Sequence, residues 1–196
     1  MTHTDLPVRV MAACALSQIL VQEKSKQIMQ NDLGTILGII LNLMKELDHK
    51  DLVTALEQVV VVYHDCIGPH AEGLIDELLE AYYKYKKNAK DAADRDQNGN
   101  DNNNLSKNVD TTDVPKYILD EEDEDEGESN MAALSSLEVC QKILNAELAP
   151  ETYGNIAPKI LNVLNIAILE NREEEINILI SLLSRILYKV NLITDQ

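Results

Sequence analysis

The feature that most constrains the fold of this chain is apolar periodicity of the α-helical kind, which returns in segment after segment. In one such segment apolar residues lie at i, i+3, i+4, i+7, i+8 and i+11: Leu33, Ile36, Leu37, Ile40, Leu41 and Met44. This spacing puts them on one face of a helix. The chain has neither Trp nor Phe, so its core must be built from aliphatic side chains with Tyr as the only large ring. Stacked helices are therefore favoured over a sheet sandwich.

The pattern predicts about seven helices, with boundaries set by capping residues, Gly and Pro. Asp5 is the expected cap of the first helix, and Pro158 predicts a kink or a late start near Asn155 in the sixth. Four consecutive valines, Val59–Val62, would favour a strand alone, but the helical pattern on both sides outweighs them. The predicted helices cover residues 6–20, 31–47, 48–67, 71–87, 130–148, 151–169 and 173–192.

The predicted helices also repeat as pairs. The first and third begin about 43 residues apart and the fifth and seventh about 42, which matches the period of HEAT and armadillo repeats. The fold prediction is an all-α, right-handed HEAT-repeat solenoid, with two repeats in 1–87 and one and a half in 130–196. Because the seventh helix then has no partner, we interpret the chain as a segment of a longer array.

Residues 88–129 break the periodicity, and we predict that this Asn-rich and acidic stretch is a disordered loop. It ends in the acidic run "DEEDEDEGE", residues 120–128. Eight like charges in nine residues repel one another, so a solvated spacer is one reading. The other is attraction of Lys- and Arg-rich segments. The candidate partner-binding residues are Asp120, Glu121, Glu122, Asp123, Glu124, Asp125, Glu126 and Glu128.

The net charge of −17 disfavours nucleic acid and anionic membrane surfaces as partners, because both carry the same sign. Basic partners are favoured instead. The N-terminal sequence lacks the pattern of a signal peptide, and no apolar stretch reaches the roughly 18 residues of a membrane span. We therefore predict a protein of the cytoplasm, the nucleus or both.

Motifs of metal binding and catalysis fail on inspection. Residues 94–105, "DRDQNGNDNNNL", open like a calcium loop but end in Leu105 where a bidentate Glu is required. His64, Asp65 and Cys66 have the residue types of a nucleophilic triad, yet consecutive helical side chains diverge by about 100°. The predictions are no enzyme activity, no cofactor and no metal. Three scattered cysteines read as buried thiols of an intracellular protein: Cys14, Cys66 and Cys140.

A family resemblance covers most of the predicted helices. "LPVRVMAACALSQILVQ", residues 6–22, resembles a HEAT helix of the importin-beta family. Residues 33–85, the acidic break and "GESNMAALSSLEVCQKIL", residues 127–144, are similar in order and spacing to the central to C-terminal half of the importin seven and eight type of nuclear import receptor. In the first segment the matching positions are Pro7, Arg9, Ala12, Ala13, Ala15 and Leu16.

This resemblance implies nucleocytoplasmic transport by a non-enzymatic scaffold that shuttles between cytoplasm and nucleus. It implies basic cargo such as ribosomal proteins and histones, release by the GTPase Ran, and nucleoporin contacts through the full-length receptor. The Asn-rich insertion departs from the family pattern. The alternative prediction is a structural HEAT scaffold of another class, such as a phosphatase regulatory subunit or a chromosome-organising subunit.

Overall fold

The structure, a computed structural model, describes residues 5–46, 50–99 and 121–194. Over those residues it is built of α-helices joined by short turns, and it contains no strand. The predicted all-α class is confirmed. The helices are α1 (Leu6–Leu20), α2 (Glu23–Met29), α3 (Leu33–Glu46), α4 (Lys50–Val62), α5 (Ala71–Gly99), α6 (Glu121–Ile143), α7 (Pro150–Leu169) and α8 (Glu173–Thr194).

Long periodic segments form helices close to where the sequence predicts them. The run Val59–Val62 lies in α4, and Val59 and Val60 are fully buried, because burial outweighs the weak preference of valine for strands. The third predicted helix is shorter than expected, since α4 ends at Val62 and 3-10 turns follow. The late start near Asn155 is wrong: α7 begins at Pro150 and continues through Pro158.

The predicted loop 88–129 is helical at both of its ends. Residues 88–99 continue α5, and residues 121–129 form the start of α6. Ala89 is buried, so the first part gains packing as well as helix propensity. The second part is an acidic sequence that begins a helix, and a helix dipole favours negative charge near its N-terminus. Residues 100–120 lie outside the described residues.

The helices form two layers. Neighbours in the first layer are α1, α4, α6 and α8, and neighbours in the second are α3, α5 and α7. Polar contacts show that helices within a layer run parallel: Glu72 and Asp76 of α5 face Asn155 and Lys159 of α7 in the same order. Two layers of parallel helices are the arrangement of a HEAT-repeat solenoid.

The layers are joined by three hairpins, α3–α4, α5–α6 and α7–α8, and the contact between α5 and α6 is the most extensive in the described chain. This packing corrects the predicted pairing. The seventh predicted helix, α8, is not without a partner, because it packs on α7, and the helices outside the hairpins are α1 and the short α2. Residues 100–120 therefore connect the two helices of one hairpin and do not tether two separate blocks.

Candidate partner-binding site

The acidic run lies at the start of α6. Asp120 is outside the described residues, and residues 121–128 form about two helical turns. The last of them, Glu128, lies 3.3 Å from Nζ of Lys50, the first residue of α4. Seven residues therefore precede the level at which α4 begins, a rise of about 10 Å. The run projects beyond its neighbour in the layer.

The described ion pair of the run is weak. The Lys50 and Glu128 side chains are 49% and 40% exposed. An ion pair that is so accessible to solvent contributes little to stability. Glu128 is therefore available for exchange with a cation of a partner protein.

A second acidic segment lies on the same edge of the molecule. Because α6 and α8 are parallel neighbours, the N-terminus of α8 faces the same way as the acidic run. Glu173 and Glu174 begin α8 and are exposed. We call residues 121–128 together with Glu173 and Glu174 the acidic edge. Its chemistry is that of an attractor for Lys and Arg side chains.

Glu175 does not belong to this edge, although it directly follows Glu173 and Glu174 in the sequence. It is only 4% exposed. Its Oε1 accepts from Nζ of Lys86 at 3.0 Å, and its Oε2 accepts from Nη1 of Arg172 at 3.0 Å and from the Tyr82 hydroxyl. Glu175 is thus committed to partners inside the chain.

These four residues, Tyr82, Lys86, Arg172 and Glu175, form what we call the buried network. It joins α5 to α8 and to the turn before α8. Arg172 also donates to the Tyr82 hydroxyl at 2.8 Å, and Lys86 donates to Oδ1 of Asn130 in α6 at 2.8 Å. The network fixes the relative positions of the helices that carry the acidic edge.

Burial is opposed by hydrogen bonding at Glu175 but is reinforced by the neighbouring carboxylate at Tyr82. Burial opposes ionisation of Glu175, but hydrogen bonds from Tyr82, Lys86 and Arg172 outweigh it and lower the pKa of this carboxyl. Burial first, and then the Glu175 carboxylate, raise the pKa of Tyr82. Near neutral pH the network therefore holds an ionised carboxylate against a neutral phenol and two cations.

The turn between α7 and α8 delivers Arg172 to the network. The Asn171 N–H donates to the Ile168 carbonyl and the Arg172 N–H donates to the Ala167 carbonyl at 2.9 Å, which is the Schellman pattern of a helix C-terminus. Asn171 has a φ of 55°. Asparagine is one of the few residues that tolerate this left-handed conformation.

We expect Asn171→Val to destabilise the protein by about 1–2 kcal/mol, the typical penalty for a bulky residue in the left-handed region. Asn171→Gly should change the free energy of unfolding by less than about 0.5 kcal/mol, because glycine adopts this conformation freely. Urea denaturation of both variants measures the difference. Equal stabilities would contradict the assigned turn.

A polar pocket of about 320 Å³ lies between the buried network and the acidic edge. Its walls come from α5, α6 and the start of α8: Lys86, Asn130, Leu134, Arg172, Glu173, Glu174 and Glu175. Its cations are already paired with Glu175, so the negative charge that remains open to a partner is that of Glu173 and Glu174.

The candidate catalytic and metal residues do not assemble. Nε2 of His64 lies 2.8 Å from Oδ1 of Asp65, but both side chains are exposed, and the structure gives no contact from either to Cys66. Across the described residues, no group of three His, Cys, Asp or Glu side chains could hold a metal ion. Asp94–Gly99, the start of the calcium-like sequence, continues α5, and 100–105 are outside the described residues.

Only one cysteine is fully buried. Burial raises the pKa of Cys140 to about 12, which keeps this thiol protonated and unreactive. Cys14 and Cys66 are partly exposed, so the prediction that all three are buried is wrong for these two. Both pack against the core while staying partly exposed, and Cys66 lies in a 3-10 turn that follows α4.

Sequence comparison finds one informative relative. The chain is 28% identical over 165 residues to an importin beta-like SAD2 homolog from Arabidopsis thaliana, across 84% of this chain and 13% of that protein. The chain thus spans only a small part of the length of this relative. The similarity supports a relationship to the importin-beta superfamily. No family model and no solved structure matches the sequence.

In the described part of the chain, no helix is at once long enough and apolar enough to cross a bilayer.

Proposed function

We propose that this chain is a cargo-binding part of a nuclear import receptor of the importin seven and eight type. Three observations support the proposal: the two-layer helical architecture, the similarity to an importin beta-like protein, and the acidic edge. The observation that carries it is the edge, because it joins residues distant in sequence into one surface suited to basic proteins. Such a helical-repeat protein acts as a non-enzymatic scaffold.

The proposed mechanism is electrostatic capture. The acidic run and Glu173 and Glu174 attract Lys- and Arg-rich cargo, such as ribosomal proteins or histones, and pair with it after encounter. Passage between cytoplasm and nucleus, nucleoporin contacts and Ran-controlled release belong to the full-length receptor in this proposal.

We further propose that the solenoid continues beyond α8. On α7, Asn155, Lys159 and Asn162 face α5, while Leu161 and Ile168 lie on the other side of the helix and are 47% and 54% exposed. On α8, Ile180 and Leu187 are likewise exposed, at 50% and 63%. Together these side chains form an apolar end face to which another helical hairpin can add.

The experiment for cargo capture replaces four carboxylates of the run: Glu121→Gln, Glu122→Gln, Glu124→Gln and Glu126→Gln. Binding to a linker histone is measured at several salt concentrations by fluorescence anisotropy. We expect affinity at low salt to fall about tenfold, with a shallower dependence on salt, because rim charges act mainly through long-range attraction.

The matched control removes the same charge elsewhere on the exposed surface, through Glu80→Gln, Glu138→Gln, Glu147→Gln and Glu151→Gln. We expect this variant to bind within about twofold of the parent chain, because its charges lie away from the edge. Equal losses in the two variants would assign binding to overall net charge and would contradict a local capture site.

A further inference from the structure

A second cleft, of about 490 Å³, lies on the opposite half of α8 from the acidic edge. It is lined by polar and cationic side chains of α8 and by a residue that follows α6: Asn145, Ser181, Ser184, Arg185, Tyr188 and Lys189. α6 ends at Ile143 whereas α8 continues to Thr194. The cleft forms because α8 extends past the end of its neighbour.

The spacing of these residues places their donors on one side of α8. Residues 181, 184, 185 and 188 follow the i, i+3, i+4, i+7 pattern, and Lys189 lies four residues after Arg185, on the same flank. Gln141 of α6 donates to the Ser181 hydroxyl at 2.9 Å. This bond uses Ser181 as an acceptor and leaves its proton to donate into the cleft.

The two cations of the cleft have no carboxylate partner in the described part of the chain. This contrasts with Lys86, Lys142 and Lys159, each of which pairs with an acid of a neighbouring helix. In a chain with a net charge of −17, these two cations lie about one helical turn apart beside the cleft. They create a local positive site inside a negative field.

The cleft stays open if the solenoid continues. Ile180 and Leu187 belong to the apolar end face, and Ser184 lies next to them, whereas Ser181, Arg185 and Lys189 lie on the flank of α8 that turns toward α6. A hairpin that adds to the end face would leave Arg185 and Lys189 accessible.

We propose that this cleft binds a phosphate group carried on a peptide, as phosphoserine or phosphothreonine. The Arg185 guanidinium offers a donor fork for phosphate oxygens, and Lys189 adds a point charge. Ser184 and Tyr188 supply hydroxyl donors, and the exposed Tyr188 ring can cover the adjoining peptide. The strongly negative field of the whole chain repels polyanions such as nucleic acid or an anionic membrane, which leaves a short segment with one phosphate as the suitable ligand.

The test uses the 196-residue chain and a fluorescein-labelled peptide with one phosphoserine between Gly and Ser residues. This uncharged sequence avoids attraction to the acidic edge, so failure here is separate from failure of cargo capture. We expect the phosphopeptide to bind at least about tenfold more tightly than its unphosphorylated form. Inorganic phosphate should compete only weakly, because it lacks the peptide contacts; competition equal to that of the phosphopeptide would overturn a peptide-specific site.

The variant Arg185→Gln/Lys189→Gln should weaken phosphopeptide binding at least about tenfold. The matched control, Lys87→Gln/Lys90→Gln, removes two exposed cations from α5 and should leave binding within about twofold. Equal binding by the two double variants would overturn the proposal. Equal binding of the phosphorylated and unphosphorylated peptides would also overturn it, and would leave Arg185 and Lys189 with the role of neutralising the carbonyls at the end of α6.

Thermal denaturation of each variant establishes that it is folded. If the double glutamine variant does not fold, Ser184→Ala and Tyr188→Phe carry the test, since each removes one hydroxyl from the outer face of α8. We expect each to weaken phosphopeptide binding about threefold. If both variants bound the phosphopeptide as tightly as the parent chain does, the proposal would be overturned.

Discussion

Replacement of Glu175 by glutamine is expected to lower the free energy of unfolding by about 3 kcal/mol. The substitution keeps the size of the side chain but removes the charge that Lys86 and Arg172 share. Both cations are only 20% exposed in the side chain. Lys86 would lose its described acid, and Arg172 would keep only its pair with the more exposed Glu170. Removing one partner of a buried ion pair typically costs about 3–5 kcal/mol of stability. Because water still reaches these side chains, we expect a cost at the lower end of that range.

The neighbouring substitution Glu174→Gln provides the control. Glu174 precedes Glu175 and is exposed, so its loss should change stability by less than about 0.5 kcal/mol. Equilibrium denaturation in urea compares both variants with the parent chain. A similar small effect of the two substitutions would contradict the buried network.

The network also predicts how stability depends on pH. The pKa of Glu175 is lowered in the folded protein, so its contribution is complete above the ordinary carboxyl pKa of about 4.3. It is lost as pH falls through the lowered value, because the unfolded chain then binds the proton more readily. The melting temperature of Glu175→Gln should therefore approach that of the parent chain as pH falls from 5 toward about 3, whereas at neutral pH the two should differ widely.

Sequence periodicity could predict the network only in part. Glu175 lies in phase with the buried residues Leu179, Leu182 and Ile186 of α8, so a carboxylate within an apolar stripe was a visible signal. Its partner Tyr82 is 93 residues away, and no local pattern connects the two. The run of three acids at Glu173–Glu175 has the composition of a solvated helix start, and this hid the different environment of its third member.

Helix boundaries could likewise be predicted only where the local apolar pattern is long and continuous. Helices α1, α7 and α8 have continuous apolar stripes and were predicted nearly to the residue at most ends. Helix α2, "EKSKQIM", is seven residues long and mostly polar, so its periodicity is too short to detect. The repulsion within the acidic start of α6 favours coil when the sequence is considered alone, yet the helix dipole and the adjacent α5 favour a helix there.

The pairing of helices could not be predicted from spacing alone. A period of about 42 residues fits either pairing frame of a two-helix repeat, and only the packing of α5 against α6 distinguishes them. The same limit applies to the phosphate cleft. The spacing of Arg185 and Lys189 is evident in the sequence, but the cleft exists because α6 ends at Ile143, and this depends on where the next hairpin begins.

The pairing of α5 with α6 leads to the last expected result, which concerns Leu137. α6 is buried on an unusually wide arc because it contacts α4, α5 and α8, and Leu137, at 0% exposure, belongs to the core on that arc. Leu137→Ala should lower the free energy of unfolding by about 3–4 kcal/mol, since truncation of a buried leucine loses transfer energy and leaves a cavity.

Leu187→Ala makes the same chemical change at a residue of α8 that is 63% exposed. It should cost less than about 0.5 kcal/mol, because most of this side chain already contacts water. Urea denaturation followed by circular dichroism measures both unfolding midpoints, and we expect the midpoint of Leu137→Ala to be the lower of the two.

The same cavity should also affect cargo binding. Each helical unit of a solenoid is held mainly by its neighbours, so a cavity under α6 should loosen the hairpin that carries the acidic run. Cargo affinity should therefore fall in Leu137→Ala before the protein unfolds. Cargo affinity that held up to the unfolding midpoint would mean that the acidic run acts without its helical support.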